Sequence, residues 1–228
     1  MRASPNSRIE GTLRRQGYHH IAGVDEVGRG CLFGPVVAAA VILDPERPIR
    51  GLNDSKLLEP KRREVLSRRI RERAISVAVE ASDSAQIDRV NIYQASRLAM
   101  RDAVLSLSIA ADYLLVDAMR IDLDLPQRAL IRGDSRCSSI AAASIVAKVE
   151  RDRWMKIWDE VYPQYGLASN KGYGAPVHLQ ALKEFGVTPL HRHSFRPVAE
   201  AALFSAELPP GENCVQLPHF PKPEAATL

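Results

Sequence analysis

An α/β fold, with a mixed sheet flanked by helices, is predicted by three features of the sequence. Short apolar runs of strand length alternate with longer stretches of helical periodicity. The first and fourth of these runs each end in a carboxylate, at Asp25 and Asp117. The first run is followed by an apolar partner, Val36 to Leu43, across a loop holding Gly28, Gly30 and Gly34, which suits an antiparallel neighbour. With helices between the later strands, the first and fourth fall parallel and adjacent. Ligands bind at the carboxyl ends of such strands.

In chain order, residues 1–17 carry Arg2, Arg8, Arg14 and Arg15 against Glu10 with little apolar periodicity, and read as a flexible basic arm. His20 to Asp25 is the first strand, Val36 to Leu43 the second, and the alternating stretch Ala74 to Ala81 the third. Between the last two, Glu59 to Arg71 has a narrow apolar stripe of Val65, Leu66 and Ile70, as expected of a basic surface helix. Ser84 to Asp88 suits a helical turn. Asn91 to Leu107, with Ile92, Ala95, Leu98, Ala99 and Ala103 at helical spacing, suits a long helix. Tyr113 to Asp117 is a continuous apolar run closing on a charge, the mark of a buried strand. Gln127 to Arg132 fits a further strand, and Ser138 and Ser139 then cap an alanine-rich helix reaching about Trp158. Helices and loops follow from Pro163, including a helix from Ala175 to Phe185. Residues 18–200 are therefore expected to form one catalytic domain. Residues 201–228 hold five of the fifteen prolines and are expected to be a disordered tail beyond about Leu208.

At 228 residues and 46% hydrophobic content the chain buries a real core in one large domain. Its net charge of +4 permits a nucleic-acid partner without requiring one. The charge is concentrated: Lys56, Lys61, Arg62, Arg63, Arg68, Arg69, Arg71 and Arg73 stand against Glu59, Glu64 and Glu72. Cys31, Cys137 and Cys214 include no C-x-x-C pair, which argues against a disulfide framework or a structural zinc site. No apolar signal-like region follows Met1, and no stretch approaches ~18 uninterrupted apolar residues. A soluble, reduced, cytoplasmic protein without a membrane partner, acting as a monomer, is the expectation.

Asp25 and Glu26 are costly at the end of a buried strand unless a cation or hydrogen bonds compensate them. Glycines on both sides of Arg29 let bare backbone N–H groups approach an anion. The same stretch also reads as a hairpin turn with exposed polar residues. Joined by Asp117 and by Asp134 after the next strand, the acids form a set of four: Asp25, Glu26, Asp117 and Asp134. Acids without neighbouring His or Cys ligands favour a hard ion, Mn²⁺ or Mg²⁺, over zinc. Two such ions bracketing a phosphorus activate water and stabilise the leaving oxygen, so phosphodiester hydrolysis is the expected chemistry. No hydrolase triad competes, because His19, His20, His191 and His193 lack a Gly-x-Ser-x-Gly partner.

The motifs have a wider likeness. Asp25-Glu26-Val27-Gly28-Arg29-Gly30, Gly51-Leu52-Asn53-Asp54-Ser55-Lys56, Val116-Asp117-Ala118, Gly133-Asp134 running into Ile140 to Lys148, Arg151-Asp152, Lys171-Gly172-Tyr173-Gly174 and His191-Arg192 with Ser194-Phe195 resemble, in order and spacing, the type 2 ribonucleases H, in particular the bacterial ribonuclease HII family. The likeness covers roughly residues 20–200. It implies a ribonuclease H-like mixed sheet with a C-terminal helical extension, and a nuclease that cleaves the RNA strand of RNA–DNA hybrids. It also implies incision at single ribonucleotides embedded in duplex DNA, as in ribonucleotide excision repair, leaving 3′-hydroxyl and 5′-phosphate ends. By the same likeness Asp25, Glu26, Asp117 and Asp134 are catalytic metal ligands for Mn²⁺ or Mg²⁺. Gly28, Arg29 and Gly30 sense the ribose 2′-hydroxyl and Tyr173 stacks nearby, while Lys56, Lys171, His191 and Arg192 are phosphate contacts. Leu57 and Ala175 depart from the family's usual lysine and threonine. Other readings are a second nuclease type on the same acid-cluster fold, such as a resolvase, or an inactive nucleic-acid-binding module. In the tail, Gln216-Leu217-Pro218-His219-Phe220 resembles the short peptides that dock in a sliding clamp, although His219 stands where an aliphatic residue is usual.

Overall fold

The structure, a computed structural model, describes residues 5–205. Five strands form one sheet in the order β3-β2-β1-β4-β5. They are β1 Ile21–Val27, β2 Val36–Ile42, β3 Ser76–Ser82, β4 Tyr113–Asp117 and β5 Gln127–Leu130. β1, β2 and β3 pair antiparallel, while β4 and β5 run parallel to β1, so the sheet is mixed as the sequence predicts. The helices are α1 Arg8–Arg15, α2 Pro60–Arg73, α3 Ser84–Leu105, α4 Ser138–Val161, α5 Leu167–Asn170, α6 Pro176–Phe185 and α7 Arg196–Ser205. None of the helices among the described residues is long and apolar enough to cross a membrane.

β2 shows how the layers are built. Strand residues alternate faces, and all seven of its residues are buried. Val37, Ala39 and Val41 join the cluster under α2 and α4, whereas Val36, Ala38, Ala40 and Ile42 join the cluster under α3. The sheet is therefore covered on both faces. The run of alanines, Ala141 to Ala143, lets α4 lie close on β1 and β2. At Gly23 the approach is closest, since a Cβ there would fall 2.1 Å from the Ser139 carbonyl carbon. α3 is interrupted at Asn91, whose φ of 68° lies in the left-handed region. Its side-chain oxygen accepts from the backbone N–H groups of Tyr93 and Gln94 and caps the second half, the boundary at which the sequence predicts the long helix to start.

Two expectations are corrected. The arm over residues 1–17 contains α1, which packs on the sheet edge through Leu13 against Ile21, Leu115, Leu130 and Ile140. Glu10 is buried there, and its Oε1 accepts from the Ser139 N–H at 2.9 Å and from the Cys137 thiol at 3.2 Å. A carboxylate is thus placed at the N–H groups that open the long helix α4 and have no partner within it. A helix this short and arginine-rich needs only one apolar contact stripe, which is too little to register as periodicity. Glu10→Ala should cost about 1–3 kcal/mol of stability in urea unfolding, because it leaves a buried helix-start donor unpaired. An unchanged midpoint would mean that α1 contributes nothing to the fold. The second correction is the domain edge, since α7 continues to Ser205. The remainder of the tail, including Gln216 to Phe220, lies outside the described residues.

Candidate active site at the carboxyl ends of the central strands

The parallel register of β1 and β4 pairs Val24 with Val116. The next residue in each strand is an aspartate, so Asp25 and Asp117 emerge side by side. Asp25 is 5% exposed and faces α4, two residues on from Gly23. Its Oδ1 accepts the Glu26 N–H at 2.8 Å, and Ser144 of α4 also donates to it. Asp117 Oδ1 accepts the Gly133 N–H at 2.6 Å, which fastens the short helical turn Gly133–Ser135, and with it Asp134, beside the strand end. A further acid arrives unannounced. Asp54 caps the turn Ser55–Leu57 by accepting from Lys56 N–H, and Asp54 and Lys56 both act electrostatically on Asp117 and Asp134. Ser55 is tied to Ser144 by an Oγ–Oγ hydrogen bond of 2.9 Å.

The acids work against one another. Burial, then Glu26 and Asp117, hold the Asp25 carboxyl well above the usual carboxylate range. Burial raises Glu26 too, with Arg29 opposing from 3.5 Å and Asp117 adding to the rise. Burial raises Asp117 against the Gly133 N–H, and Asp134 is raised by burial, Asp54 and Asp117. Among the described residues, no three His, Cys, Asp or Glu side chains are arranged as a ready ligand set for one ion. The donor chemistry nevertheless fits a hard divalent cation: all oxygen, mutually repelling, and with Glu26 Oε2 buried without a hydrogen-bond partner.

The loop after β1 is stitched to two distant segments. Leu32 N–H donates to Gly172 O at 2.8 Å, Gly34 N–H to Leu190 O at 2.8 Å, and Arg192 N–H to Leu32 O at 2.9 Å. Arg151 of α4 is fully buried, and its guanidinium donates to the carbonyls of Phe33, Pro35 and Lys171. Gly28, at φ 97°, is the point where the loop crosses that guanidinium, since a Cβ would fall 2.2 Å from Arg151 Nε. Gly30 differs. Its added Cβ would meet only Tyr173 Cε1, at 3.7 Å, an ordinary contact. The Tyr173 ring is therefore next to Gly30, and it is 41% exposed.

The twelve residues expected at the site fall into three groups. Asp25, Glu26, Asp117, Asp134, Gly28, Arg29, Gly30, Lys56 and Tyr173 gather around the ends of β1 and β4. Lys171 lies farther out, lining a cleft with Arg63, Asp152 and Lys156. His191 and Arg192 are corrected. Both are fully buried, so neither is placed to touch a phosphate. Arg192 donates to Gly34 O and Arg29 O at 2.9 Å each and lies over the Phe195 ring, and burial beside Arg151 pushes its guanidinium down to about 9. Asp54, Ser144 and Arg151 were not assigned to the site from the sequence, although all three stand within the quoted motifs. Arg63 likewise leaves the basic face of α2, bonding Ser55 O and Leu58 O and pairing with Asp152.

Comparison with known proteins bears directly on this geometry. The family model described as Ribonuclease HII matches residues 22–198. The Ribonuclease HII of Solibacter usitatus is 61% identical over 196 residues, covering 86% of each chain. The ribonuclease H2 of Pyrococcus horikoshii OT3 superposes with a TM-score of 0.71 at 25% identity, over 83% of this chain and 100% of that one. The RNase HII in the PCNA:RNase HII complex from Archaeoglobus fulgidus gives a TM-score of 0.67 at 28% identity, over 79% and 96%.

Proposed function

The chain belongs to the ribonuclease HII family, a ribonuclease H acting on RNA–DNA hybrids, and from that premise we propose that it also incises duplex DNA at single embedded ribonucleotides. The observation that carries this reading is the contrast between Gly28 and Gly30. Glycine at 28 is demanded by the protein's own Arg151, whereas glycine at 30 has room for a methyl group and so is kept free for something else. A bare backbone beside an exposed aromatic suits a ribose 2′-hydroxyl and the sugar that follows it, the one group that separates RNA from DNA chemically. Arg29 is half-exposed beside Glu26 and can meet the backbone phosphate next to that ribose.

Asp25, Glu26, Asp117 and Asp134 would hold Mg²⁺ or Mn²⁺, which when bound supplies an activated water and charge stabilisation at phosphorus. The protein's own part is to hold those oxygens: Gly133 N–H orients Asp117, while Ser144 and Glu26 N–H orient Asp25. The family likeness implies that hydrolysis leaves 3′-hydroxyl and 5′-phosphate ends. The test uses matched duplexes with one ribonucleotide, an RNA strand, or DNA alone, in Mg²⁺, Mn²⁺ or EDTA, with end-group analysis. Cleavage of the hybrid but not of the single-ribonucleotide duplex would sink the proposal.

Tyr173→Ala should lower single-ribonucleotide incision relative to hybrid cleavage by about tenfold or more, the range of one lost stacking contact. Its melting temperature should stay near wild type because the ring is partly exposed and lies outside the buried core, and a large loss of stability would instead assign the ring to packing. For the tail we propose docking of Leu217 and Phe220 in a sliding clamp, supported by the Archaeoglobus fulgidus complex with PCNA. Tethering of this kind raises local concentration on DNA. A peptide of residues 212–228 should bind the cognate clamp and lose binding when both anchors become alanine; no binding at submillimolar concentration would end the idea.

A further inference from the structure

Beneath Tyr173 lie two histidines that have no part in the chemistry above. His178 and His191 are fully buried, and their Nε2 atoms stand 3.1 Å apart. The other nitrogen of each ring meets a partner of fixed polarity. His178 Nδ1 is 2.9 Å from the Tyr173 carbonyl oxygen, which can only accept, so this nitrogen carries the proton. His191 Nδ1 is 2.9 Å from the Thr188 backbone nitrogen, whose N–H can only donate, so this nitrogen is bare. The Thr188 hydroxyl lies 3.0 Å from the same atom while accepting from Leu190 N–H. Burial pushes the His191 imidazole down to about 3 and lowers His178 as well, so both rings are neutral.

A neutral imidazole has one N–H. The two ends therefore fix the two tautomers independently: Nδ1–H with a bare Nε2 in His178, and Nε2–H with a bare Nδ1 in His191. Where the rings meet, these assignments bring one donor to one acceptor. Reversing either ring alone would set two N–H groups, or two lone pairs, against each other. The Phe33 and Tyr165 rings, with centroids 5.0 and 4.9 Å from that of His191, pack against this contact.

We propose that His178 and His191 are positioning residues, forming a one-way hydrogen-bond relay from Thr188 N–H through both imidazoles to the Tyr173 carbonyl that sets Tyr173 against Gly30. The turn Thr188–Arg192 holds both partners of that contact. Through Leu190 O and the Arg192 guanidinium it grips the loop around Gly30, at Gly34 N–H, Gly34 O and Arg29 O. Through the relay it grips the Tyr173 main chain. The Tyr173 carbonyl also accepts Ala175 N–H at 2.8 Å, so cutting the relay leaves the local turn in place and frees its registration against Gly30. The consequence for substrate rests on the reading of Tyr173 given above.

Imidazole ¹⁵N spectra of the wild-type protein at neutral pH should show His178 as the Nδ1–H tautomer and His191 as the Nε2–H tautomer. The opposite tautomer in either ring, or a charged ring, overturns the relay regardless of any variant. His178→Asn keeps a donor at the Nδ1 position, whereas His178→Gln reaches back to His191 and leaves the Tyr173 carbonyl. The ratio of single-ribonucleotide to hybrid cleavage should therefore fall about fivefold further in His178→Gln than in His178→Asn, the weight of one net hydrogen bond. Equal ratios in two variants of matched melting temperature overturn the positioning role. Tyr173→Ala separates the two claims: if it leaves the ratio unchanged, the reading of Tyr173 fails, while the tautomer result still decides the relay.

Discussion

Asp25→Asn is expected to abolish cleavage and, at the same time, to stabilise the metal-free protein at neutral pH. The substitution keeps an oxygen that accepts Glu26 N–H and removes a negative charge buried beside Glu26 and Asp117. Activity should fall by about 10³-fold or more, since losing a metal-binding oxygen forfeits several kcal/mol of transition-state stabilisation. Stability without metal should rise by about 1–3 kcal/mol, because an under-compensated buried group is neutralised. The pH dependence has a definite sign. Asp25 is raised in the folded state, so the folded protein binds a proton that the unfolded chain has already released. Wild-type stability in EDTA then falls as pH climbs from the unfolded carboxylate range through the raised folded value. The variant should lose much of that slope, and Mg²⁺ should stabilise wild type more than the variant. Melting curves in EDTA and in Mg²⁺ across acidic to neutral pH decide it. A variant melting below wild type at neutral pH in EDTA would show that Asp25 is compensated by the protein alone.

The parts of the site that the sequence disclosed are those built by local pattern. β1 and β4 are apolar runs with a terminal acid, and parallel pairing brings such ends together, so Asp25 and Asp117 were readable as neighbours. The glycines around Arg29 announced a loop with an open backbone. What stayed hidden depends on partners distant in sequence. Arg151, Arg192 and Arg63 look like surface cations in a basic chain, and two of them lose all contact with water by binding carbonyls more than a hundred residues away. His191 reads as a phosphate ligand until His178 and Thr188 close over it. Glu10 belonged to a stretch that read as a loose arm, yet it caps α4 from 129 residues away. A charged side chain enters a core only with its partners, and nothing in its own neighbourhood of sequence names them.

Arg151 shows how large that hidden contribution is. Arg151→Ala should destabilise the protein by about 3–5 kcal/mol, because it removes the guanidinium donors from the carbonyls of Phe33, Pro35 and Lys171 and opens a cavity between two loops. Arg151→Lys should recover little, since a single ammonium cannot reproduce a planar fork reaching three carbonyls. The same residue explains Gly28. In the wild-type protein Gly28→Ala meets both a backbone φ of 97° and the Arg151 guanidinium, 2.2 Å from the new carbon. With Arg151 removed only the backbone penalty is left, so the two substitutions should be less than additive, by about 1–2 kcal/mol in a double-mutant cycle. Urea unfolding of the four proteins measures this. Strict additivity would detach Gly28 from Arg151 and return its glycine requirement to the substrate, whereas the expected coupling leaves Gly30 alone as the position kept bare for the ribose.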